Sequence, residues 1–178
     1  MSEPEVTAVG GVGGDRGVVV RRGGVADADA IVGMMRSMLA MHAGMNPWRY
    51  ATREAPERAY RRALEDPGER VFLWLIADRA RPGGGAEACG YLLAEAEAED
   101  ALLWLPASVV VHDVYVGALW RGSGVGRRMM DEAMAWARER GAGQVRLYTD
   151  VGNAGARARF AAMGFVETMR EMSVRVGP

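Results

Sequence analysis

Apolar and polar positions alternate or recur along this chain in a pattern that sets out its elements. VVVRR (Val18–Arg22) reads as a short strand, and Ile31, Met34, Met35, Met38 and Leu39 then recur at helical spacing. Asp27 or Asp29 is placed to cap that helix, and Asn46-Pro47 ends it. A second helix, EAPERAYRRALEDP, stops at Pro67-Gly68. RVFLWLIADR, CGYLLAEAEAED and SVVVHDVYV read as three strands, the first two joined by a glycine-rich hairpin. ALLWLPA (101–107) reads as a bulged continuation or a short strand of its own. Val125, Met129, Ala133, Trp136 and Ala137 form the apolar stripe of a helix that Gly141 stops. QVRLYTD is a strand, NAGARARFAAM a helix, and GFVETMREMSVRV one or two closing strands. This order predicts an α/β (α+β) fold on a mixed, mostly antiparallel sheet with a βαβ unit near its end.

Residues 1–16 are glycine-rich and read as a flexible tail before a single domain, 17–178. Within that tail GGVGG precedes a strand rather than following one, the wrong context for a dinucleotide loop. Charge narrows the partners: a net charge of −1 points to neither nucleic acid nor an anionic membrane. A single cysteine, Cys89, excludes an internal disulfide framework, and no apolar run reaches membrane-spanning length. With no signal-like start, a cytoplasmic location is the expectation. No metal-ligand set is expected. Glu95, Glu97 and Glu99 alternate with alanines on one strand face, read as a solvated outer face or, alternatively, an acidic lining for a cationic substrate.

The chemistry concentrates in RGSGVGRR (121–128), which opens a helix straight after an apolar strand. Free N–H groups at a helix start and its macrodipole favour an anion, and glycine lets a phosphate approach the main chain. A P-loop needs a lysine after its last glycine, and all 22 basic residues of this chain are arginine. A dinucleotide fingerprint has another spacing.

The run from VHDVYVGALWRGSGVGRR through AMGF resembles the core of the GNAT-type N-acetyltransferase superfamily. VHDVYV is similar to the corresponding stretch of its spermidine/spermine acetyltransferase-like branch. The resemblance implies an acyl-CoA N-acyltransferase-like fold with splayed central strands, and acetyl-CoA as co-substrate. It implies that Arg121, Gly122, Ser123, Gly124, Val125, Gly126 and Arg127 wrap the pyrophosphate. The main chain of Val114, Tyr115 and Val116 would bond the pantetheine arm, and Asn153 would contact the cofactor further along. The family glutamate that helps deprotonate the amine is replaced here by His112, with Asp113 next; either is a candidate base, and water is another. Histidine suits the task because free imidazole titrates near 6.5. Strand alternation predicts that His112 and Asp113 lie on opposite faces. The family tyrosine that protonates the departing thiolate is replaced by Phe160, which has no hydroxyl and keeps only a packing role near the cofactor.

HAGMNPWRY supplies His42, Asn46, Trp48 and Tyr50 as candidates for the wall of an acceptor site. A small-molecule primary amine is the expected acceptor. A peptide or protein amine, a weakly catalytic acyl-CoA-binding module and a nucleotide-phosphate enzyme remain alternatives. Dimers are frequent in the superfamily, so the resemblance also admits a homodimer.

Overall fold

A computed structural model describes residues 17–47, 49–50, 56–81 and 83–174. The tail 1–16 and Trp48 therefore lie outside the described residues. The chain divides into two units, one ending at Tyr148 and one beginning at Thr149.

The first unit is a sheet of five strands in sequence order: β1 (Val18–Arg22), β2 (Val71–Ala80), β3 (Ala86–Glu97), β4 (Ser108–Val116) and β5 (Gln144–Leu147). Each of the first four runs antiparallel to its neighbour, and β5 runs parallel to β4. A parallel neighbour needs a crossover, which α3 (Val125–Glu139) provides. The central strands are apolar on both faces because both are covered. Trp74, Ile76, Tyr91 and Leu93 pack against Ile31, Val32 and Met35 of α1 (Ala28–Met45), with Tyr60 of α2 (Pro56–Glu65). The helix α3 turns in Met129, Met130, Ala133 and Trp136, and its Met129 Cε would lie 3.3 Å from a Cβ added at Gly90 of β3.

Proline opens α2 at a position where its missing N–H costs nothing. Arg36–Glu57 (2.8 Å) and Arg61–Asp29 (2.5 Å) tie α2 to α1. Neither aspartate caps α1 with its side chain. Asp27 sits at the cap position, but its carboxylate takes Arg21 and the Gly24 N–H, and Asp29 takes Arg61.

Segment 101–107 is a loop closed by the Asp100–Leu105 bridge. Asp100 Oδ1 accepts from the Leu102 and Leu103 N–H groups, which folds the segment into turns rather than a strand. Residues 144–150 form strand only as far as Leu147. The second unit carries α4 (Ala154–Ala161), and the expected closing strands are not formed over 165–174. Apolar residues there, such as Val166 and Met172, are exposed, because alternation by itself makes no ladder.

Two glycines test this packing. A Cβ on Gly90 would lie 2.8 Å from the Tyr115 carbonyl oxygen, whereas one on helical Gly33 meets nothing within 4 Å. Gly90→Ala should cost about 1–3 kcal/mol by overpacking. Gly33→Ala should gain about 0.5–1 kcal/mol. Urea unfolding of both variants measures the two signs.

Candidate active site

The strand β4 has a β5 partner only from Ser108 to Val111, while β3 accompanies it to Val116. The ladder between the two parallel strands ends at Val111 and Leu147. Gly117 N–H donates to Cys89 O at 2.8 Å, on the β3 side. Alternation therefore turns the main-chain groups of Val114 and Val116 toward the gap left by β5. One of them is used: Arg121 Nε donates to Val116 O at 3.1 Å.

The gap leads to the start of α3. Gly122 (φ +80°) and Gly124 (φ +86°) adopt left-handed backbone that side-chain-bearing residues rarely take. The first α3 bond runs from Arg128 N to Gly124 O, so the N–H groups of Val125, Gly126 and Arg127 have no helical partner. No side chain caps them; Ser123 Oγ donates instead to Trp120 O at 2.6 Å. A Cβ on Gly126 would touch only Val116 Cγ2 at an ordinary 3.5 Å. Alanine would thus fit the folded chain, and the space it would fill lies beside uncapped donors. That cradle suits a phosphate group. Arg127 is exposed and lies 3.7 Å from Asp131, whereas Arg128 reaches back to Val18 O of β1.

A β-bulge decides where the candidate bases point. Leu93 pairs with Asp113 and Ala94 with Val111, so His112 is an extra residue in β4. The extra residue resets the alternation. Asp113 joins Leu93 and Tyr91 on the face covered by α1 and α2, accepting from the Tyr91 hydroxyl at 3.0 Å and from the Tyr60 hydroxyl. His112 Nε2 lies 2.9 Å from Glu95 Oε2, and Glu95 pairs with Phe72 on that same face. The two candidates thus share one face, contrary to the expectation from simple alternation.

Their surroundings differ. Asp113 is 9% exposed, and burial pushes its carboxyl above the ordinary aspartate value. The Tyr60 and Tyr91 hydroxyls, then His112 and His42, pull it back only in part. Burial and the neighbouring Asp113 charge raise both tyrosines beyond the usual phenol range. Glu95 is 8% exposed yet is not left unpaired. Arg70 reaches it from the start of β2 with two bonds, 2.7 and 2.5 Å. That guanidinium, and then His112, hold the Glu95 carboxyl below its usual value against burial. The solvated-face reading therefore fails for Glu95, and Glu97 is also paired, with Arg146 at 2.5 Å.

Glu95, Tyr60 and Tyr91 were not separable in the sequence from ordinary strand and helix positions; alternation placed Glu95 but not its partners. Among the acceptor candidates, Asn46 ends α1 and accepts the Arg49 N–H at 3.2 Å. The His42 and Tyr50 rings pack at 5.0 Å. In the second unit, Asn153 caps α4 through its amide oxygen, which accepts from Ala156 N at 3.1 Å. Phe160 packs edge-on against Phe165 at 5.9 Å. Among the described residues no cluster of three or more His, Cys, Asp or Glu is placed to hold a metal, and no helix is long and apolar enough to cross a membrane.

Asp113 sets a pH dependence. A carboxyl with a higher pKa folded than unfolded stabilises the fold fully below the unfolded value, about 4, and loses that contribution as pH rises through the folded value. Asp113→Asn cannot ionise. Its melting temperature relative to wild type should rise as pH goes from about 4 to about 8. Calorimetry across that range checks it, and a pH-independent difference would contradict it.

Residues 35–165 match the model of the acetyltransferase (GNAT) family. No curated protein matches the chain's sequence significantly. Solved structures share the fold at low identity. A tetramutant of the BH1408 protein from Bacillus halodurans aligns with TM-score 0.72 and 15% identity, over 89% of this chain and 99% of that one. The ribosomal-protein-alanine N-acetyltransferase from Brucella melitensis aligns with TM-score 0.63 and 17% identity, over 89% and 99%. AAC(6')-Iy, in complex with the bisubstrate analogue CoA-S-monomethyl-acetylneamine, aligns with TM-score 0.64 and 17% identity, over 90% and 99%. With the strand gap, the glycine cradle and the uncapped helix in place, the chain belongs to the GNAT acetyltransferase family and is an acetyl-CoA-dependent N-acetyltransferase.

Proposed function

We propose that this enzyme acetylates a primary amine of a small molecule by direct transfer in a ternary complex, with His112 as general base. One observation carries the reading: the edge of Val114–Val116 that faces away from β3, and that β5 does not pair, precedes the uncapped start of α3. The donors of Val125, Gly126 and Arg127, with Arg121, suit the pyrophosphate, and Tyr115 lies between the two residues that would bond the pantetheine arm. Acetyl-CoA supplies the acetyl group as a thioester. His112 takes the proton that the amine must lose before its nitrogen bonds the carbonyl carbon and the carbon–sulfur bond breaks. The Val114 N–H, turned to the gap, donates to the carbonyl oxygen as charge gathers there. Phe160 has no proton to give the sulfur, so the thiolate leaves unassisted by that residue or takes a proton from water.

A small acceptor is supported by the bisubstrate analogue bound by AAC(6')-Iy and by the polar and aromatic character of His42, Asn46 and Tyr50. The motif VHDVYV places polyamines first among acceptors to try. A protein N-terminal amine is the rival, favoured by the likeness to a ribosomal-protein acetyltransferase. The same reading has the enzyme acting in the cytoplasm, as a monomer or homodimer.

Thiol release from acetyl-CoA over a panel of polyamines, aminoglycosides and peptides tests this. A small amine should raise the rate, and binding without release for any amine would favour a non-catalytic acyl-CoA module. His112→Gln should lower kcat/KM by about 10²- to 10⁴-fold. Gly126→Ala should melt like wild type but bind coenzyme A about tenfold more weakly, near 1.4 kcal/mol, by calorimetry. Phe160→Tyr should raise kcat if sulfur protonation limits turnover, and an unchanged kcat would show that it does not.

A further inference from the structure

Glu95 and Arg70 have no place in the mechanism so far, yet both converge on the proposed base. Both Glu95 oxygens are engaged: Oε1 by Arg70 Nε, and Oε2 by Arg70 Nη2 and His112 Nε2. A carboxylate held this way accepts hydrogen bonds and donates none. The imidazole nitrogen facing it must therefore carry a proton. We propose that Glu95 is a positioning residue that fixes His112 with its proton on Nε2, so that Nδ1 presents the lone pair that receives the amine's proton. Arg70 is the clamp on Glu95. This assignment rests on the reading of His112 as base.

Three features support it. The bulge sets His112 diagonally across from Glu95, on the face where Phe72 and Glu95 pair. Arg70 is itself held, its guanidinium 4.6 Å from the Phe72 ring centroid while two of its nitrogens fork onto the carboxylate. Glu95 is less accessible to the amine than His112, since its side chain is 10% exposed against 33% for His112. Asp113 is also occupied, beneath two tyrosine hydroxyls. When Nδ1 takes the proton, the positive ring is left against a carboxylate, and the Arg70 charge keeps that carboxylate ionised. Charge and proton are thus both accounted for without a further group.

The experiment is ¹⁵N imidazole spectroscopy of the full chain, which has two histidines. His112→Gln assigns the signals by the set it removes. At high pH, wild-type His112 should show a protonated Nε2 and a bare Nδ1. Glu95→Gln has one oxygen where Arg70 and His112 need two, so the single-tautomer signature should be lost. Its kcat should fall about tenfold or more, short of the roughly 10⁴-fold seen when a protease triad loses its aspartate, with KM for acetyl-CoA unchanged. Arg70→Lys keeps the charge but not the fork, and should fall between; it also serves if Glu95→Gln does not fold. A wild-type His112 protonated on Nδ1, or a Glu95→Gln variant with tautomer and kcat unaltered, overturns the proposal. Full activity in His112→Gln would instead sink the base reading, while the spectrum still decides whether Glu95 holds the ring.

Discussion

One strand cannot satisfy its main chain on both edges, and the rest of the site follows from that. Backbone N–H and C=O groups away from water need partners. β4 finds them along β3 throughout, but loses β5 after Val111. The groups of Val114 and Val116 then border a gap that no other strand fills among the described residues. The same chain turns at once into Gly122 and Gly124, whose left-handed backbone delivers the start of α3 without a capping side chain. Two kinds of unmet hydrogen-bonding capacity, one from a strand edge and one from a helix end, are thereby lined up along a few residues. An extended ligand with an amide arm and a phosphate end matches both.

The second constraint is the extra residue at His112. A bulge normally costs a ladder bond and local twist. Here it also turns two adjacent polar residues onto one face, where each meets a different environment. Asp113 goes beneath the tyrosines of α2 and β3, so it ties the α1–α2 layer to the sheet. His112 stays exposed over Glu95. A buried carboxylate without a cation is costly, and Arg70 offsets that cost while remaining largely exposed. Division of labour between the two residues comes from burial and partners, since their positions in the strand are adjacent.

Much of this was legible before any coordinates. The elements were readable because long apolar stretches and helical spacing report burial, which is set by residue type. The glycine loop was readable because positive φ and close approach leave few residue choices. The closing strands were not, since the alternation of 164–176 describes what a strand there would look like and says nothing of whether an edge is available to pair it. Segment 101–107 misled in the same way: it is apolar, but Asp100 gathers its N–H groups into turns.

By itself, the order of residues determined the mixed sheet and the glycine-rich start of α3. These depend on local chemistry or on periodicity, which a linear string carries. Only the tertiary structure decided which way His112 and Asp113 point and that Glu95 and Arg70 stand behind His112. Those depend on a one-residue register shift between β3 and β4, and register is a relation between two strands that neither strand encodes alone.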